Sequence, residues 1–356
     1  MEKEEKRFLQ ELVEAPSPSG YEQPAAKVLR ERLTGVADDV STDILGSVHA
    51  RLNGTDEGAS VLLAGHIDEL GMMVHHIDDN GFIFFKAVGG IDAAILPGLR
   101  VDMYTSKGEK LRGVLGRKPI HLMKPDDRKE VTKIDKLFID LGLPVEQVRE
   151  RVRIGDVAVF GVGYEEFGDG LAVSRAFDDK MGAWIAARVL EEVKAAGGAI
   201  GDLIVGGTAQ EEIGARGGQT TGYAVDADIS IAIEVTHATD YPSIDKTEHG
   251  KFELGGGPVI ARGPNINPVV AERLIAAAEA EGISYQIQAE PRGTGTDANP
   301  IQTLRGGKAT ALVSVPLRYM HTPTEVLALS DLEDTVKVLT RFVLDLDGDV
   351  DLTPML

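Results

Sequence analysis

Apolar strand-like runs alternate with amphipathic helices at both ends of this chain, and the alternation breaks off between them. Near the start, Phe8, Leu9, Leu12 and Val13 recur at helical spacing over residues 4–14, and 23–33 reads as a second helix. Strand-like pieces follow over 41–45 and 48–52, and then the run Val61–Ala64. From 72 to about 164 the chain holds short alternating segments, among them 101–104, 110–115 and 157–162. Tight-turn signals such as Asp79-Asn80-Gly81 and Ser106-Lys107-Gly108 separate them, and the charged stretch 126–150 reads as part loop, part helix. Beyond 167 helices and strands alternate again: a helix over 180–194, strands over 203–208 and 227–235, and a helix opened by Asn267 and Pro268. Strands over 285–289 and 310–315 and a closing helix over 329–346 complete the chain. This pattern predicts one discontinuous α/β unit, residues 1–69 and 165–356, with a small β-rich module over 70–164 inserted in it.

The bulk numbers narrow the chemistry. A length of 356 residues suggests about two domains, and 43% hydrophobic content suffices for a sizeable core. Cysteine is absent, so disulfides and thiolate metal sites are excluded, and any metal must be held by His, Asp or Glu. The net charge of -20 disfavours nucleic acid and anionic membranes as partners. It either aids solubility or reflects a salt-rich cytoplasm. The apolar runs are far shorter than the ~20 residues of a membrane span. The charged start MEKEEKRFLQ lacks the apolar centre of a secretory signal, so a cytoplasmic location is expected.

Several of the apolar runs lead into metal-type residues. The run Val61–Ala64 gives His66 and Asp68, which alternation places on one side of an extended chain. The segment 174-SRAFDDKMG-182 carries Asp178 and Asp179, the strand over 203–208 leads to Glu211 and Glu212, the next contains Glu234, and the last leads to His321. In open α/β sheets ligands bind outside the carboxyl ends of the strands, so these residues can meet in one crevice. Two His and several carboxylates suit Zn, Co or Mn. A two-metal site needs a bridging carboxylate, and hydrolysis needs a base that is not itself a ligand; the Glu211–Glu212 pair can divide such tasks. Each residue alone has a plainer reading. An adjacent Glu pair is usually solvated surface, His321 before Thr-Pro a loop residue, and Asp178-Asp179 a helix N-terminus. The joint pattern carries the inference.

At these residues the chain resembles the tetrahedral aminopeptidases, dinuclear metallopeptidases of the cytoplasm also known as glutamyl aminopeptidases or cellulase M. The matching segments run in order along nearly the whole chain: APSPSGYE, GHIDELGMMV, SRAFDDKMG, QEEIGARGG, the strand ending at Glu234 with Asp240 and Pro242 after it, GPVIARGPNINP, GTGTDA and RYMHTPTEV. The resemblance implies a mixed central sheet flanked by helices, of the zinc-peptidase type, with the insert as a dimerisation domain. It implies two divalent ions, Zn or Co, per subunit, and peptides with a free N-terminus as substrates. Asp178 then bridges both metals, His66 and Glu234 complete one site, and Glu212 and His321 complete the other. Glu211 is the general base, Asp68 orients His66, and the Asp178–Asp179 bond is cis. Glu234 stands where many relatives have Asp, one methylene shorter. Members of the family often build twelve-subunit tetrahedral shells from dimers.

Rival readings are a deacylase or dipeptidase on the same scaffold, decided by loops such as 293-GTGTDANPIQ-302, and an inactive shell-forming or peptide-binding protein. A glycosidase needs two carboxylates flanking a sugar bond, not this His and Asp constellation. Arg305 and Lys308 are candidates for an acid-selecting pocket, set against a plain solvated loop.

Overall fold

The computed structural model describes residues 1–354. The first helix, α1 (Lys3–Glu14), buries the predicted stripe of Phe8, Leu9, Leu12 and Val13, and α2 (Gln23–Leu33) follows. A hairpin of β1 (Asp39–Thr42) and β2 (Val48–Leu52) comes next. The strand expected over 41–45 stops earlier because the Asp43 carboxylate accepts the N–H groups of Leu45, Gly46 and Ser47 and closes a turn. Then β3 (Val61–His66) runs fully buried to the site.

The β-rich stretch closes on itself. Its strands are β4 (Gly71–Ile77), β5 (Ile83–Val88), β6 (Arg100–Tyr104), β7 (Lys110–Gly116), β8 (Phe138–Asp140) and β9 (Val157–Phe160). They form a barrel in the order β4-β5-β8-β7-β6-β9, which leaves no free sheet edge. Met72, Ile83, Phe85, Val101, Met103 and Ile139 belong to its own core. The charged stretch splits into β8 and the short helix α3 (Val145–Arg151), and the strand expected over 157–162 ends at Phe160.

After β10 (Glu165–Phe167) and β11 (Leu171–Ser174) comes α4 (Phe177–Ala195), which starts three residues before the expected Lys180. Then follow β12 (Leu203–Thr208), α5 (Arg216–Val225), β13 (Ile229–His237), α6 (Lys246–His249) and β14 (Val259–Arg262). Helix α7 (Pro268–Ala280) opens as expected, with the Asn267 side chain accepting the N–H groups of Val269 and Val270. The chain ends through β15 (Gln286–Ala289), α8 (Ala298–Gln302), β16 (Ala309–Leu317), β17 (Glu325–Ala328) and α9 (Leu329–Leu344).

The main sheet is mixed, in the order β1-β2-β12-β3-β13-β16-β14-β15. Its centre, β12-β3-β13-β16, is parallel, so four strands end at the same edge. Val61 and Leu63 face the main core with Trp184 and Ile185 of α4; Leu62 and Ala64 face the other side, with Ile204 and Ile301. Gly65 explains how closely α4 lies on β3. A Cβ there would come 2.4 Å from the backbone nitrogen of Ala183. The helix therefore rests on the strand backbone itself, and its first turn, with Asp178, is held beside His66.

Candidate metal centre

The common edge of the parallel strands gathers every site residue expected from the sequence. His66 closes β3, Glu211 and Glu212 follow β12, Glu234 lies in β13, His321 follows β16, and Asp178 opens α4. All six line one cleft of about 700 Å³. Asp68 is fully buried beneath them. The Asp178–Asp179 peptide bond is cis, as the resemblance implies.

Two imidazoles converge on one carboxylate. His66 Nε2 is 3.1 Å from Asp178 Oδ1, and His321 Nε2 is 3.3 Å from Asp178 Oδ2. The other nitrogen of each ring faces a main-chain carbonyl: His66 Nδ1 is 3.1 Å from the Asp68 oxygen, and His321 Nδ1 is 3.1 Å from the Gly90 oxygen. A carbonyl only accepts, so each Nδ1 carries the proton and, in the neutral ring, each Nε2 presents a lone pair. Two lone pairs then point at two carboxylate oxygens, a contact that repels unless a cation or a proton lies between. Glu234 Oε2 is 3.9 Å from His66 Nε2, and Glu212 Oε2 is 3.6 Å from His321 Nε2. Donor atoms of His66, Asp178 and Glu234 lie within 4.8 Å of one another, as do those of Asp178, Glu212 and His321.

The electrostatics tell the same story. Burial pushes the Glu211 carboxyl up to about 8 and that of Glu212 to about 7, and neighbouring carboxylates add to both. Burial and the nearby Asp179 push Glu234 up as well. Its hydrogen bond to Asp178 lifts His321 to about 9. Burial opposes ionisation of Asp178, but its bonds with His321 and His66 hold it below the usual carboxylate range. The Glu212 Oε1 atom is buried with no hydrogen-bond partner. A cluster of carboxylates short of positive charge, with an orphaned acceptor and two imidazole Nε2 atoms aimed inward, fits a pair of divalent cations.

Comparison with known proteins agrees with this geometry. The pattern of the M42 glutamyl aminopeptidases matches residues 46–338. The chain belongs to the M42 glutamyl aminopeptidase family. The M42 chain is 34% identical to the lysyl aminopeptidase of Pyrococcus furiosus over 357 residues, 98% of this chain and 99% of that one. The TET aminopeptidase of a marine-sediment Thaumarchaeota archaeon superposes with a TM-score of 0.91 at 32% identity, covering 97% of both chains. The TET1 peptidase of Pyrococcus horikoshii, which assembles into a tetrahedron or a large octahedral shell, gives 0.84 at 30% identity, covering 96% of this chain and 100% of that one. The fold is that of the zinc-peptidase type, and the protein is an aminopeptidase, a hydrolase acting on peptide bonds.

Several parts of the M42 site escaped the sequence reading. Glu325 is buried, and its two oxygens accept the backbone N–H groups of His321 at 3.0 Å and Asp178 at 3.2 Å. It lies within the quoted RYMHTPTEV segment, but spacing alone does not show that it ties two loops together. Asp179 accepts the His66 N–H. Asp68 does more than expected: its carboxylate stands 3.4 Å from His66 Nδ1, farther than its own carbonyl. It also accepts the Ser19 hydroxyl and the N–H groups of Glu211 and Glu212. Asp68→Asn is accordingly expected to lower metal affinity and peptidase activity about 10–100-fold, as losses around metal ligands commonly do. Chelator competition and steady-state kinetics measure the two. Arg305 and Lys308 do not reach the cleft. Both pair with Asp226, and Lys308 precedes β16 at the end of the strand opposite His321.

Proposed function

We propose that the M42 chain removes N-terminal residues from peptides with the help of two divalent cations held by His66, Asp178 and Glu234 on one side and by Asp178, Glu212 and His321 on the other. The observation that carries this reading is the pair of imidazole Nε2 atoms facing opposite oxygens of Asp178. Nitrogen and oxygen donors without sulfur suit zinc or cobalt. Such ions would supply Lewis acidity to the scissile carbonyl and to the attacking water.

The chain's own residues do the rest. Glu211 lines the cleft but stands outside both donor groups, so it is free to carry a proton. Its backbone N–H is fixed by Asp68 Oδ1 at 3.0 Å. As the water oxygen bonds to the carbonyl carbon, Glu211 takes the water's proton, and it delivers that proton to the amine nitrogen as the C–N bond breaks. Carboxylates around the centre draw in the free α-ammonium of the substrate, which favours cleavage at a chain end. Asp68, through its carbonyl and its carboxylate, keeps His66 and the Glu211–Glu212 turn in place.

The same reading includes assembly and place. The barrel over 71–160 serves as the dimerisation module, and dimers build a closed shell with inward-facing clefts, as the Pyrococcus horikoshii TET1 relative supports. Sedimentation at the monomer mass of 38.1 kDa would remove this part. Among the described residues no helix is long and apolar enough to cross a membrane, in keeping with work on peptides in the cytoplasm.

The test is metal content. Two zinc or cobalt ions per chain, with activity lost on removal by chelator and regained on addition, is the expected result; full activity in metal-free protein overturns the proposal. A pH dependence follows too. Near pH 7 the metal-free site holds His321 protonated, since its pKa lies at about 9. A cation must displace that proton, so binding releases protons and affinity falls as the pH is lowered from 9 towards 6. Calorimetry in buffers of different ionisation heat measures the release.

A further inference from the structure

Glu211 and Glu212 are neighbours in the chain, yet both line the cleft. Successive side chains of an extended segment point to opposite sides, so the backbone must turn to present them together. It turns at Gln210, whose φ of 59° lies in the left-handed region. A residue with a Cβ is strained there and stays only where its surroundings hold it.

What holds this turn is a set of side chains from elsewhere in the chain. Beyond the end of β12 the N–H groups have left the sheet, and a buried N–H needs an acceptor. Ala209 donates to Ser47 Oγ at 3.2 Å, Gln210 to Glu22 Oε1 at 3.2 Å, Glu211 to Asp68 Oδ1 at 3.0 Å and Glu212 to Asp68 Oδ2 at 3.1 Å. Ser47, Glu22 and Asp68 are all buried. Glu22 is the one that takes the N–H of the left-handed residue itself. Its Oε1 also accepts the Gly20 N–H at 2.5 Å, which fixes the carboxyl from its own loop. Burial and the nearby Asp68 charge push that carboxyl up to about 7, and Oε1 remains an acceptor in either protonation state.

We infer that Glu22 is a positioning residue for peptide cleavage: by holding the Gln210 N–H it keeps the left-handed turn that aims Glu211 into the cleft; this rests on the role of Glu211 as base proposed above. Glu22 lies outside the cleft wall and belongs to neither donor group, so it acts through the turn and not on the substrate or the metals. The contact requires an acceptor oxygen at that reach, not a charge.

The experiment measures kcat, KM and metal content for leucyl-p-nitroanilide on the metal-loaded enzyme and on Glu22→Gln, Glu22→Ala and Glu22→Asp, below the unfolding temperature of each. Glu22→Ala and Glu22→Asp are then repeated in the Glu211→Gln background. Gln offers an oxygen at the same reach and is expected to keep kcat within about threefold of wild type. Ala removes the acceptor, and Asp, one methylene shorter, withdraws it. Each is expected to lower kcat by about tenfold or more, with KM changed less than about twofold and metal content at the wild-type level. Asp keeps a buried carboxyl and carries the test if the Ala variant does not fold. In the Glu211→Gln background the same substitutions are expected to change kcat by less than about twofold, because the group they would misplace is already gone. A merely structural role would lower kcat equally in both backgrounds. Equal losses in the two backgrounds, loss of metal, wild-type turnover in Glu22→Asp, or an inactive Glu22→Gln overturns the inference and leaves the aminopeptidase reading standing. Retained turnover in Glu211→Gln alone overturns the base role and this inference with it.

Discussion

Glu211→Gln is expected to keep metal binding at the wild-type level and to lower kcat by about 10²–10⁴-fold, the usual worth of a positioned acid–base group. The substitution is nearly isosteric. Its main-chain N–H keeps its bond to Asp68 Oδ1, and Glu211 belongs to neither donor group, so metal content is expected to stay at the wild-type level. The proposed role would be lost: taking a proton from water and passing it to the leaving amine. In the metal-free chain burial pushes the Glu211 carboxyl up to about 8. Because the amide still occupies the same space, KM changes much less than kcat. Single-turnover and steady-state kinetics with metal analysis measure all three quantities. Retained turnover with both metals present would place the base elsewhere.

Asp178→Asn is expected to be more damaging still. One carboxylate faces both histidines, with Oδ1 towards His66 and Oδ2 towards His321. An amide keeps one acceptor oxygen and puts an N–H₂ donor in place of the other, so at least one site loses its shared ligand. Each donor group has three members, and without Asp178 each keeps two. Peptidase activity should fall by at least about 10³-fold, with metal content below two per chain. Thermal unfolding gives an independent readout. A cation at 100 times its Kd stabilises the wild type by about 2.7 kcal/mol, and this gain should largely vanish in the variant. Equal stabilisation of both proteins by zinc would mean that the ions bind elsewhere.

Several residues at the centre were legible because they sit where an apolar run stops. Val61–Ala64 announces His66, and the strand now seen as Leu203–Thr208 announces Glu211 and Glu212, since buried parallel strands read as continuous apolar runs. The inserted barrel was legible as texture, from its turn signals, but its strand order was not, because register depends on partners far along the chain. What tertiary approach alone decides stayed hidden. Gly90, just beyond β5 of the barrel, supplies the carbonyl that orients His321, and Ser19 supplies a hydroxyl to Asp68 from 49 residues away. Glu325 sits four residues from His321, yet its importance lies in reaching the Asp178 N–H from across the fold. Arg305 and Lys308 misled for the opposite reason. Their charge suggested a pocket, but the turn before β16 gives them Asp226 at the far end of the sheet.

One measurement tests the proposed chemistry most directly. Leucyl- and lysyl-p-nitroanilide, each with its α-amine free and acetylated, are offered to the enzyme loaded with zinc or cobalt and to the same enzyme stripped by chelator. Cleavage of the free-amine substrates only, and only with metal present, is the expected result. Cleavage of the acetylated substrates, or equal cleavage by the stripped enzyme, would contradict a two-metal aminopeptidase centred on Asp178.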